Sequence, residues 1–120
     1  MYCVHHTMVY DLGGYSTRLH GVVKGLQNSG WTVRVVQLPG TSMPKTEPAT
    51  RGVPRIDAEE ETIVDNVTYV AVDGWREGSV PLDAFMASAS DYYMREAVKV
   101  GAEVIVGASN HANALPALVA

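Results

Sequence analysis

The sequence predicts an α/β domain, a parallel sheet with flanking helices, and three observations carry that expectation. The chain opens on a short run rich in β-branched and aromatic residues. A segment with helical apolar spacing and a second β-rich run follow directly, which spells a right-handed βαβ unit. Further on, a second amphipathic stretch leads into another apolar run.

The first strand is expected over residues 2–9, "YCVHHTMV", as a buried strand that ends before Asp11 and Gly13. From Ser16, the residues Leu19, Val22, Val23 and Leu26 recur at the helical period, with Ser16 or Thr17 as the cap and Gly30 as the terminator. Residues 31–38, "WTVRVVQL", read as the second strand. Four prolines (Pro39, Pro44, Pro48, Pro54) and two glycines without periodicity make residues 39–57 a long, exposed and mobile loop. In "TIVDNVTYVAVDG", Asp65 and Asn66 divide two β-rich runs, and a hairpin is preferred over one kinked strand.

Pro81 opens a second helix with Leu82, Phe85, Met86, Ala89 and Tyr93 on one face, and Gly101 closes it. Of the neighbours Tyr92 and Tyr93, one is expected to pack and the other to face solvent. "EVIVGAS" reads as a buried strand, and Asn110 as the cap of a third helix that reaches residue 120 without a stop signal. The sequence is therefore expected to be a fragment, cut within a helix.

Composition narrows the function. With 120 residues, 47% of them hydrophobic, there is room for one core. Nine basic against thirteen acidic side chains give a formal net charge of −4, with no basic cluster to bind nucleic acid. The single cysteine, Cys3, cannot form an intrachain disulfide and reads as a buried small hydrophobe, which suits a reducing compartment. No basic n-region with an apolar h-region and no run of ~18 apolar residues occurs, so the cytoplasm is expected.

The segment "DLGGYSTRLHG" is the leading site candidate. Gly13 and Gly14 lack Cβ atoms, so backbone N–H groups can approach a ligand closely, and the following helix directs partial positive charge at an anion. Phosphate suits that position; the plainer alternative is a strand-to-helix turn. The glycines are adjacent rather than spaced G-x-G-x-x-G, and the second strand ends at Gln37 rather than an acidic residue, so a nicotinamide cofactor is disfavoured. No Gly-Lys-Ser or Gly-Lys-Thr follows, which excludes a P-loop.

Other chemistry finds less support. His5 and His6 are adjacent on a strand and face opposite sides, and His20 and His111 are separate, so no metal site is expected. There is no G-x-S-x-G nucleophile motif. Glu59 to Glu61 read as a solvated run, because consecutive carboxylates do not converge on one atom.

"GGYSTRLHGVVKGLQNSGWTVRVVQLPG" and, later, "VIVGASNHANALPAL" together resemble the N-terminal domain of GT-B type retaining glycosyltransferases, the glycogen-synthase-like and sucrose-synthase-like superfamily. The resemblance covers residues 2–40 and 101–118, roughly half the chain. It implies one Rossmann-like half of a GT-B fold, truncated at the C-terminus, that uses a nucleoside-diphosphate sugar and no separate cofactor. Gly13, Gly14, Tyr15 and Arg18 would then meet the donor phosphates, and His20, Asn110, His111 and Asn113 the acceptor. A nucleotide site and a glutamate pair belong to the family's C-terminal domain, so transfer by these residues alone is not expected and the catalytic residues are unassigned. The apolar surface meant for that domain would favour homo-oligomers, and contact with a membrane surface is left open. The rival reading is a non-catalytic module that binds phosphate or nucleotide.

Overall fold

A computed structural model describes residues 1–5, 7, 9, 13–40, 59–72, 78, 80–108 and 111–120, with the side chains of 111 and 112 excepted. Its elements are β1 (Tyr2–Val4), α1 (Gly14–Asn28), β2 (Arg34–Gln37), β3 (Glu59–Val64), β4 (Val67–Val72), α2 (Leu82–Val100), β5 (Val106–Gly107) and α3 (His111–Val119). They form one five-stranded sheet in the order β3-β4-β2-β1-β5. β1 pairs in parallel with both β2 and β5, and β2 in parallel with β4.

The sheet is mixed rather than wholly parallel, because β3 runs antiparallel to β4. The two-residue turn at Asp65 (φ 49°) and Asn66 (φ 64°) makes this unavoidable: two left-handed residues reverse the chain in place and leave the strands antiparallel neighbours. The expected hairpin is thus present, at the sheet edge.

Alternation along the strands sorts two cores onto opposite faces. Val4, Val35, Val67 and Tyr69 pack under Leu19 and Val23 of α1. Cys3, Val36, Leu38, Val70 and Val72 pack against Phe85, Ala89, Tyr92 and Tyr93 of α2 and Ala117 of α3. Helices therefore cover both faces, as the α/β expectation requires. Gly101 ends α2 in the left-handed conformation (φ 63°), which a side chain would strain.

Several boundaries differ from the expectation, each for a tertiary reason. β1 stops at Val4 instead of residue 9, since its partners run out: Leu38 N–H donates to Val4 O at 2.8 Å and β5 contributes only two residues. The second strand spans Arg34–Gln37 and not 31–38. β5 is exposed rather than buried because, among the described residues, it pairs only with β1. Tyr92 and Tyr93 are both buried, and Leu82, at the start of its helix, is half exposed. The expected loop at 39–57 lies outside the described residues except for Pro39 and Gly40. No described helix is long and apolar enough to cross a membrane.

Candidate functional site

The parallel strands place the candidate loops. α1, which follows β1, lies on one face of the sheet, while α3, which follows β5, lies on the other. β1 and β5 are neighbours whose following helices lie on opposite faces, and in an open α/β sheet ligands usually bind beyond the carboxyl ends of such strands. As the connection between the parallel strands β1 and β2, α1 has its amino end on that side of the sheet.

The helix begins two residues earlier than the expected Ser16. Gly13 is its N-cap, with extended backbone (φ −62°, ψ 164°) and no side-chain cap hydrogen bond. Neither Ser16 nor Thr17 caps it; both lie inside the first turns, and Thr17 Oγ1 donates back to Gly13 O at 3.3 Å. The first intrahelical bond is Thr17 N–H to Gly13 O, so the N–H groups of Gly14, Tyr15 and Ser16 have no intrahelical acceptor. No acidic residue occupies this turn.

Gly13, Gly14, Tyr15 and Arg18 are all exposed. A Cβ built on Gly14 would meet nothing within 4 Å, and its backbone does not sit in the left-handed region. The fold itself thus has no need of a glycine there. Arg18 stands one turn on, at i+4 from Gly14, and helical side chains lean toward the N-terminus. Its stem accordingly leans toward the open space over Gly14, and no ion pair holds it among the described residues.

Ser16, expected only as a cap, is a further residue of this turn. Its side chain is completely buried, and Oγ has no hydrogen-bond partner among the described residues. The signal was available: Ser16 precedes Leu19 and Val23 at i+3 and i+7, a hydroxyl on the sheet-facing stripe.

Of the residues assigned to the acceptor by resemblance, the two whose side chains are described, Asn113 and His20, are both engaged within the fold. Asn113 is fully buried, and its amide is engaged on both sides. Tyr93 donates to its Oδ1, while its Nδ2 donates to Cys3 O at 2.9 Å and Ala108 O at 2.5 Å. Asn113 therefore ties the ends of β1 and β5 together. His20 faces the hairpin. Its Nδ1 shares a hydrogen bond with the Tyr69 hydroxyl, and its Nε2–H donates to Asp65 Oδ2 at 3.1 Å. Lys24 and Gln27 donate to the carbonyls of Asp65 and Asn66 at 2.9 and 3.0 Å, so three residues of α1 hold the hairpin turn. Asn110 and the side chain of His111 lie outside the described residues.

Two further clusters are structural in geometry. Glu59 and Glu61, expected as part of a solvated run, are exposed and also form ion pairs with Lys99 (2.6 Å) and Arg34 (3.1 Å), and Arg34 reaches the buried Glu96 at 2.7 Å. An open groove of about 1000 Å³ lies at the amino ends of the strands, lined in part by Met1, Trp31, Val33, Val100 and Val104. Its one guanidinium, Arg34, is already held by those two carboxylates. Size alone does not make it the site; the N–H groups without an intrahelical acceptor lie at the other end of the strands, at the start of α1. Among the described residues, no group of three His, Cys, Asp or Glu side chains is placed to hold a metal ion.

No family model, curated protein or solved structure matches the chain.

Proposed function

We propose that the first turn of α1 binds the diphosphate of a nucleoside-diphosphate sugar, and that the chain serves as the acceptor-side half of a retaining glycosyltransferase. One observation carries the phosphate part. On the side of the sheet where β1 and β5 end, the Cβ direction of Gly14 is open among the described residues, and the N–H groups of Gly14, Tyr15 and Ser16 have no intrahelical acceptor. Such donors, aligned with the helix dipole, favour an anion. Arg18 supplies an exposed positive charge on the same helix face.

The transferase part rests on the sequence resemblance alone. Its chemistry needs the nucleotide held at both ends and the acceptor positioned, which a phosphate contact by itself does not achieve. A panel of nucleoside-diphosphate sugars and the free diphosphates, read by thermal shift of the chain and by nucleotide release from the full-length gene product, tests it. Release from one donor, abolished by Gly14→Val, supports the transferase; a folded two-domain protein silent with every donor refutes it.

One observation favours the rival reading, a non-catalytic phosphate-binding module. Asn113 and His20, the described residues assigned to an acceptor, are occupied by internal hydrogen bonds. A module would respond equally to a diphosphate with or without its sugar.

A further inference from the structure

We infer that Ser16 Oγ donates a hydrogen bond to a phosphoryl oxygen held at the first turn of α1, an inference that rests on the phosphate reading of that turn. Ser16 is fully buried and Oγ has no partner among the described residues, a costly state for a hydroxyl. The ordinary outlet for a helical hydroxyl is a carbonyl one turn back; Thr17 takes it, and Ser16 does not.

The stripe that continues from Ser16 along α1 is Leu19 and Val23, packed on Val4, Val35, Val67 and Tyr69, so the way down the helix is apolar. Every Cα–Cβ bond of a helix tilts toward its amino end. The Ser16 side chain thus leans toward the mouth of α1, the end at which the N–H groups of Gly14, Tyr15 and Ser16 lie. A hydroxyl beside three N–H donors completes a set that only an acceptor can satisfy. A phosphoryl group, with several oxygens on one tetrahedral centre, meets such a set, whereas one water can accept only two of these hydrogens.

The placement has an unusual signature for a mutation. Removing a hydroxyl that lacks a partner relieves the free protein, so Ser16→Ala should melt at the same temperature as the parent or higher, yet bind anions less tightly. A residue with a purely structural role would not separate the two readouts.

Calorimetric titration of the full chain with pyrophosphate and with UDP, for the parent, Ser16→Ala, Ser16→Cys and Arg18→Ala, tests this. The expected result is a loss of about tenfold or more in affinity for both probes in Ser16→Ala and Ser16→Cys, with melting unchanged or raised. Weakened binding in Arg18→Ala with full affinity in both Ser16 variants would overturn the role of Ser16 and leave the phosphate reading standing. Failure of the parent to bind either probe would overturn both. Loss with UDP but not with pyrophosphate would also overturn the inference as stated, because Ser16 would then answer to the nucleoside and not to phosphate.

Discussion

Tyr93 on α2 donates its phenolic hydrogen to Asn113 Oδ1 on α3, and through that amide the two helices are tied to the carboxyl ends of β1 and β5. Both side chains are completely buried. Burial pushes the Tyr93 hydroxyl well above its ordinary pKa of 10.0, so it remains a donor throughout the usual range. This pair fixes α2 and α3 against the carboxyl ends of the two strands.

Asn113→Ala should therefore destabilise the chain strongly. The Tyr93 hydroxyl loses its acceptor and Ala108 O loses a donor, while Cys3 O retains the Ala108 N–H at 2.9 Å. With about 1–3 kcal/mol for each buried group left unsatisfied, the expected loss is about 3 kcal/mol, and about 1–2 kcal/mol for Tyr93→Phe. Urea unfolding of both singles and the double variant checks it; additive losses would show that the two residues do not act as a pair.

Gly107 makes a separate claim about α3. A Cβ there would meet Ala117 Cβ at 2.9 Å and the Ala114 backbone at 3.0 and 3.1 Å. Gly107→Ala must push α3 off β5, at a cost of about 1–3 kcal/mol. An unchanged denaturation midpoint would mean that the helix packs less closely than described.

Gly14 should behave in the opposite way. Its Cβ direction is open and its backbone is unstrained for other residues, so Gly14→Ala should leave stability unchanged or raise it by up to about 1 kcal/mol. The same change intrudes on the proposed phosphate path. Thermal melts and UDP titration of one sample separate the two effects, and a variant that binds UDP normally would remove the need for open space at this position.

The Glu59–Lys99 pair sets a pH dependence. Burial, the largest influence, raises the Glu59 carboxyl, but hydrogen bonds from Lys99 and with Glu96 and the charges of Lys99 and Arg34 outweigh it, and its pKa falls below the ordinary 4.5. A depressed folded-state value means that the stabilisation is present above 4.5 and is lost as the pH falls through the folded value. For Lys99 the hydrogen bond from its ammonium to Glu59 raises the pKa above 10.5, so its share is present below 10.5 and disappears as the pH rises through the raised value. Lys99→Met should flatten the acid limb of a plot of melting temperature against pH. Identical acid limbs would exclude the pair as its cause.

Legibility in the sequence followed the range of the interactions. The α1 period, the Asp65-Asn66 turn and the Gly101 stop depend on residues close in the chain, and each lies where local pattern placed it. The end of β1 does not, because a strand stops where its neighbours stop, and those neighbours lie more than thirty residues away. His20 looked available because its partners, Tyr69 and Asp65, are 49 and 45 residues further on. Asn113, assigned to an acceptor by resemblance, has its amide taken up by Tyr93, Cys3 and Ala108, partners 20, 110 and 5 residues away. Ser16 reads as a cap when the helix is started two residues late, which hides its place on the buried stripe.

The central claim is that phosphate binds at the first turn of α1, and the amide shifts of an isotopically labelled chain titrated with UDP test it most directly. The account expects saturable shifts concentrated at Gly14, Tyr15 and Ser16, with the hairpin turn at Asp65 and Asn66 unmoved. Shifts confined to the groove around Trp31 and Val104, or no saturable shift at all, would contradict it.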